Sequence, residues 1–249
     1  MLQKLFYEEI GHGNPLICLH GYALDHTIWL EMVDELKSDA RIILPDLRGH
    51  GKSPAPEGKY SMRVMAEDVL EIMDSLRLER ANIAGHSMGG YIALALAEYY
   101  PDRLSGLALV ASHAYADVPE KKKARLDDIE RVKHSSPAEV LSEMPGKLSR
   151  NLEVVERCKN LIFQTSKNGV MGVLAGMAER PDRIEAMALL KIPTLVVAGT
   201  DDQFIPLETS REMSAKVKGM QLFEIINVGH MPMMEHPQDT AKALLNLFN

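Results

Sequence analysis

The chain has 249 residues, of which 46% are hydrophobic and 25% charged, with a net charge of -7. This length suffices for a substantial buried core, and the acidic balance argues against nucleic acid, whose phosphates demand clustered lysine and arginine. The one basic run, Lys121-Lys122-Lys123, is followed by Asp127, Asp128 and Glu130 and reads as a solvated helix face. Charges break up the first nine residues before any apolar signal segment forms, so no secretory leader is expected. No apolar stretch is long enough to insert in a membrane. Cys18 and Cys158 are too few and too far apart for a disulfide framework, and Cys18, inside an apolar run, is expected to be a buried, inert thiol. A cytoplasmic protein is expected.

In chain order, Leu5 to Ile10 is rich in aromatic and β-branched residues and is punctuated by Gly11 and Gly13. Pro15 to Leu19 is a short apolar run that stops at His20-Gly21. Thr27 to Leu36 has helical spacing through Ile28, Met32, Val33 and Leu36. Arg41 to Pro45 is another apolar run, ended by Asp46. Tyr60 to Leu76 repeats Met62, Met65, Val69, Ile72 and Leu76 at three and four, with Ser61 as its N-cap. Ala81 to Gly85 reads as a strand, Met88 to Tyr100 as an alanine-rich helix, and Leu104 to Ala111 as a strand. Ile192 to Ala198 and Gln221 to Val228 are the last two strands, separated by a helix around Leu207 to Val217. Pro237 to Phe248 is a closing helix. Apolar runs alternating with helices predict parallel strands buried on both faces. The alternation breaks between His113 and Leu190, a polar segment of helical tendency that reads as an insertion between two strands.

The chemistry concentrates on Gly85-His86-Ser87-Met88-Gly89, a G-x-S-x-G motif between a strand and a helix. On so sharp a turn the serine hydroxyl is exposed, its backbone is strained, and Gly85 and Gly89 remove the collisions that side chains would cause. A serine needs a base to take its proton. His230, in Val228-Gly229-His230 at the end of the last strand, is the candidate. His236 stands before Pro237, where capping or surface placement accounts for it. His86 is expected to point away from the nucleophile, and His50, in a glycine turn, to bind the backbone there. The carboxylate that orients the imidazole should come after the intervening strand, where Asp201 and Asp202 compete. Asp202 is favoured, leaving Asp201 to the turn and its backbone N–H groups. Two backbone donors should hold the oxyanion: the N–H of Met88, and that of Tyr22 in the loop after the first apolar run. Tyr22 and Met231 are the leading pocket candidates, and an apolar pocket rich in methionine is expected, with Met88, Met171, Met177, Met233 and Met234 also considered.

The chain resembles the α/β-hydrolase superfamily, in its esterase, metal-free haloperoxidase and C–C hydrolase branch. The resemblance rests on His20-Gly21-Tyr22, Pro45 to Ser53, Gly85 to Gly90, Asp202 to Pro206, and Gly229-His230 with Glu235 and Pro237. It implies an α/β fold with an eight-stranded, mostly parallel sheet flanked by helices, with a helical cap at 113–190 inserted in a core of 1–112 and 191–249. It also makes Asp46 and Arg48 architectural. No His or Cys cluster has metal-ligand spacing and no dinucleotide-type glycine turn occurs, so no metal and no cofactor are expected. The expected activity is that of a serine carboxylesterase forming an acyl-enzyme. Its partner is a small to medium ester, mostly neutral because no arginine near a motif is placed to clamp a substrate carboxylate. Cap arginines (Arg125, Arg150, Arg157, Arg180) cannot be placed from sequence. The alternatives are an enol-lactone or C–C bond hydrolase on the same machinery, and a slow-turnover signal receptor.

Overall fold

The structure is a computed structural model that describes residues 2–248; positions 1 and 249 of the expected core lie outside the described residues. Seven strands form one sheet: β1 (Tyr7–Gly11), β2 (Asn14–Leu19), β3 (Ala40–Pro45), β4 (Ala81–His86), β5 (Leu104–Val110), β6 (Thr194–Gly199) and β7 (Gln221–Ile225). Their spatial order is β1-β3-β2-β4-β5-β6-β7, and β1 alone runs antiparallel to its neighbour. All six residues of β4 and of β6 are buried, as strands covered on both faces require. The edge strands differ: β1 carries Glu8 and Glu9 and β7 carries exposed Glu224, charges that discourage edge-to-edge pairing.

Seven strands replace the eight that the resemblance implied. The seven runs read from hydrophobic pattern correspond one for one to the strands seen. Residues 2–6, the segment before β1, form no ladder. The N–H of Gln3 donates instead to Asp68 Oδ1 at 2.8 Å and that of Phe6 to Ser53 Oγ at 2.9 Å, so backbone donors that a strand would use are satisfied by side chains. β7 is also shorter than expected. It stops at Ile225, the partner of Gly199, and Asn227 then turns the chain with φ 60°.

Twelve α-helices occur among the described residues: α1 (Val33–Leu36), α2 (Met62–Ser75), α3 (Met88–Tyr99), α4 (Pro119–His134), α5 (Pro137–Val140), α6 (Met144–Leu148), α7 (Leu152–Gln164), α8 (Lys167–Ala178), α9 (Ile184–Ala188), α10 (Leu207–Lys216), α11 (Pro232–Glu235) and α12 (Pro237–Leu245). The hydroxyl of Ser61 accepts from the N–H of Val64 at 3.2 Å and caps α2. α4 to α9 all lie between β5 and β6, and no strand occurs there among the described residues. Among the described residues no helix is long and apolar enough to cross a membrane. Cys18 and Cys158 are buried free thiols, and burial pushes the Cys158 pKa up to about 12.

The chain order positions the site. From β2 the chain moves outward to β3, then crosses back to place β4 on the other side of β2. The loops leaving β2 and β4 therefore diverge at the carboxyl edge, the kind of crevice in which open α/β sheets hold ligands. β4 is the middle strand, so the residue at its carboxyl end stands over the centre of the sheet.

Candidate active site

Ser87 occupies the single residue between β4 and α3, with φ 49° and ψ -112°. A non-glycine residue there stores about 1–3 kcal/mol of backbone strain, held only when neighbours fix it. Here the Ser87 N–H donates to the carbonyl of Val110 at 3.0 Å. Its carbonyl accepts from the Gly90 N–H at 3.0 Å and the Ser112 hydroxyl at 2.7 Å. The strand and helix can approach this closely only through glycine. A Cβ on Gly85 would lie 2.4 Å from the backbone of Gly89, and one on Gly89 2.3 Å from the carbonyl oxygen of Leu19.

His230 lies in a loop after β7 rather than ending the strand. Its Nδ1 donates to Asp202 Oδ2 at 2.8 Å, and the two side chains are 3% and 2% exposed. Asp202 Oδ1 accepts from the N–H groups of Phe204 and Ile205 at 2.8 and 3.0 Å, so the carboxylate is clamped by its own loop. Asp201 points elsewhere. It takes Arg150 at 2.7 Å and the Thr200 hydroxyl at 3.3 Å, and it does not take the backbone donors expected of it. Ser87 and His230 line the same cavity, of about 470 Å³.

The peptide of His230 is held from two sides. Its N–H donates to the carbonyl of Leu148 in α6 at 2.7 Å, and its carbonyl accepts from His86 Nε2 at 2.9 Å. The rings of His86 and His230 lie 4.9 Å apart between centroids. Burial, reinforced by His230 nearby, pushes His86 well below the ordinary histidine range, so it stays neutral with the proton on Nε2.

Met88 opens α3, where a backbone N–H has no acceptor within the helix. Gly21 passes so close to Ser87 that a Cβ on it would stand 3.4 Å from Ser87 Cβ. The next peptide, Gly21–Tyr22, is aimed by His20. The Leu47 N–H donates to His20 Nε2 at 2.8 Å, which leaves the ring proton on Nδ1 to donate to the Gly21 carbonyl at 2.8 Å. In a trans peptide the N–H points opposite to the carbonyl, so fixing the Gly21 oxygen also fixes the Tyr22 N–H. Sequence reasoning marks His20-Gly21 as the loop but assigns no role to either His20 or His86. The signals available are an imidazole beside the loop glycine and one beside Ser87.

The pocket is lined largely by apolar side chains, among them Leu141, Leu174, Phe204 and Ile205, but one part of its wall is charged. Tyr22, Met177 and Met144 line it, yet Met231 does not: its side chain is fully buried in the core, because the chain turns into α11 directly after His230. Met88 and Met233 are likewise fully buried. Lys121, Arg125 and Arg131 of α4 and Lys147 of α6 stand on the wall, with Asp128 and Glu143. Lys121 thus departs from the solvated face predicted for its run, while Lys122 and Lys123 are exposed.

The remaining histidines and acids build the scaffold. His26 Nδ1 bonds Asp46 Oδ1 at 2.6 Å and its Nε2 faces Glu8 at 3.2 Å. Asp25, His26 and Asp46 form the one group among the described residues whose donors, within 4.8 Å, could hold a metal ion. These donors already serve the fold, since Asp46 also takes the Lys52 N–H at 2.8 Å and Asp25 caps Thr27 at 2.9 Å. Arg48 pairs with buried Asp68 at 2.6 Å. His50 Nδ1 donates to the Arg48 carbonyl at 3.0 Å, and burial lowers its pKa to about 3. His236 is exposed and opens α12, 3.4 Å from Asp239.

A parallel sheet with a strained serine over its middle strand, and a buried His–Asp pair beside it, defines a protein of the hydrolase type. Residues 14–237 match the family of the alpha/beta hydrolase fold, and the chain belongs to it. A thermophilic esterase from Thermogutta terrifontis superposes with a TM-score of 0.95 at 36% identity, covering 99% of this chain and 93% of that one. The AB hydrolase superfamily protein YisY of Bacillus subtilis (strain 168) is 32% identical over 91% of this chain and 88% of its own. The 2-hydroxymuconate semialdehyde hydrolase of Pseudomonas sp. (strain CF600) is 31% identical over 92% of this chain and 84% of its own.

Proposed function

We infer that the chain is a serine hydrolase of carboxylic esters, with 113–190 as a helical cap over the site. The observation that carries this reading is the His230–Asp202 bond of 2.8 Å, made beside a cavity that both His230 and Ser87 line. Asp202 keeps the His230 proton on Nδ1, which leaves Nε2 to accept the proton of Ser87. The serine oxygen attacks the ester carbonyl, and the N–H groups of Tyr22 and Met88 receive the oxyanion. His230 then protonates the departing alcohol, and water, deprotonated by the same imidazole, releases the acid from the acyl-enzyme. Every step uses this chain's own side chains and backbone.

The esterase from Thermogutta terrifontis, at 36% identity over nearly the whole chain, supports the ester reading. A second reading, C–C bond hydrolysis on the same machinery, is favoured by the 31% identity to 2-hydroxymuconate semialdehyde hydrolase. A panel of p-nitrophenyl esters of increasing acyl length, with a fluorophosphonate label as active-site titrant, separates the two. Turnover of short esters together with labelling at Ser87 fits the esterase. Labelling without turnover fits the C–C hydrolase. Labelling or turnover that persists in Ser87→Ala would overturn both.

A further inference from the structure

Lys121 lies in the first turn of α4, on the stripe Lys121, Arg125 and Asp128 that spacings of four and three bring to one helix face. That stripe lines the catalytic cavity. The other cations on the wall have carboxylates: Arg131 on Asp128 at 2.9 Å, Lys147 on Glu143 at 3.1 Å, and Arg125 on Asp117 at 2.6 Å. Asp117 serves Arg180 as well, at 2.8 Å, so this part of the wall holds more positive than negative charge. Lys121 has neither an ion pair nor a hydrogen bond among the described residues, although it is half-buried. Burial, with the charges of Arg125 and Arg180, moves its ammonium below the ordinary lysine range. The charges of Asp117 and Asp202 oppose this from a distance, but no carboxylate is in contact, and a partly desolvated cation with no paired counter-charge weakens the unliganded protein, which an anion in the cavity relieves.

A second group in the same cavity lacks a partner. The hydroxyl of Tyr22 is buried and makes no hydrogen bond. Arg125 has little left to offer. Its Nε and Nη2 go to Asp117 and its Nη1 to the sulfur of Met177. What remains is one full cation and one neutral donor. This set matches a carboxylate, with one charge and two acceptor oxygens, better than a phosphate dianion, which calls for more than one cation.

We propose that Lys121 and the Tyr22 hydroxyl form a carboxylate subsite, so that the substrate is a monoester of a dicarboxylic acid, its free carboxylate held there while its ester carbonyl lies at Ser87. This rests on the ester-hydrolase reading of the same cavity. The cap therefore selects by charge, and the mostly neutral substrate expected from sequence gives way to an anionic one.

The test compares monomethyl glutarate with methyl 5-methylhexanoate, in which an isopropyl group replaces the carboxylate. Wild type is expected to favour the glutarate ester in kcat/KM by at least tenfold. Lys121→Met should cut that ratio at least tenfold, and Lys121→Arg should restore most of it. Lys122→Met, one residue away on the exposed face, should leave the ratio within threefold. A wild-type preference for the neutral ester, or a ratio unmoved by Lys121→Met, overturns the subsite. Calorimetry of glutarate binding to the Ser87→Ala protein decides the matter apart from turnover. If wild type hydrolyses neither ester, the ester reading fails, yet glutarate binding that weakens at least tenfold on adding Lys121→Met still upholds the subsite. Binding that is absent at millimolar glutarate, or indifferent to Lys121, removes it.

Discussion

Replacing Asp202 by asparagine separates its charge from its geometry. Oδ1 of Asp202 accepts two backbone N–H groups, at 2.8 and 3.0 Å, and Oδ2 accepts the His230 Nδ1 proton at 2.8 Å. An asparagine can place its oxygen at only one of these positions. Turning its NH2 toward the backbone would lose two hydrogen bonds and set donors against two buried donors, at about 1–3 kcal/mol each. Keeping the oxygen on the backbone costs only the bond to the imidazole. The amide therefore faces His230 with its NH2, the ring proton moves to Nε2, and the base can no longer accept from Ser87. The expected loss is about ten-thousandfold in kcat, or about 5.4 kcal/mol in the barrier, with the thermal midpoint little changed. Asp201→Asn breaks only a surface pair with Arg150, worth about 0–1 kcal/mol, and should stay within about threefold of wild type. Steady-state kinetics on a p-nitrophenyl ester, run on both variants, checks this. An Asp202→Asn enzyme within tenfold of wild type, or an Asp201→Asn enzyme equally crippled, would refute the assignment of the acid.

Gly89→Ala drives a Cβ to 2.3 Å from the Leu19 carbonyl, a backbone atom that cannot swing aside. It should cost about 1–3 kcal/mol or more, lowering the melting midpoint by about 2–12 °C at this chain length. Gly146→Ala, with nothing within 4 Å, should be neutral or slightly stabilising, and equal midpoints for the two would contradict the packing. His26 supplies a pH test. Burial lowers its pKa, but the Asp46 bond and the charges of Asp46, Asp25 and Glu8 outweigh burial and the folded value is raised. Its stabilisation is therefore complete below the unfolded value of about 6.5 and is lost as pH rises through the folded one. The gap in midpoint between wild type and His26→Gln should be widest near pH 5–6 and narrow toward pH 9, whereas a gap constant with pH would mean that His26 is neutral in the fold.

The parts of the fold that depend on local pattern are legible in the sequence. The five inner strands are apolar runs, the two edge strands carry charges among aromatic and β-branched residues, and the serine turn announces itself through Gly85 and Gly89. The eighth strand comes only from resemblance, and before β1 the side chains of Asp68 and Ser53 take the backbone donors of residues 3 and 6. Proximity across the fold is illegible. Nothing in Asp201-Asp202 states which carboxylate the loop turns inward. His86 looks like a bystander until Gly21, Trp29 and His230 are packed around it. Met231 points to the pocket by its place after His230, but a one-residue step on a turning backbone sends the side chain into the core. Lys121 looks solvated among its charged neighbours, whereas the helix turns it by about 100° per residue away from Lys122. Which face of α4 meets the site is set by its packing on α8 and α5, not by the run itself.

The suspension of His230 between Leu148 and His86 bears on how such a protein can change. One anchor of the base, the Leu148 carbonyl, belongs to the same insertion that shapes the pocket. A foreign cap grafted at β5 and β6 would bring its own backbone to that point. Chimeras that displace α6 would loosen the imidazole along with the specificity, even though every core residue was kept. On the proposed reading, variation in the insertion is thus filtered twice, once by the molecule it admits and once by whether the His230 imidazole beneath it stays in register.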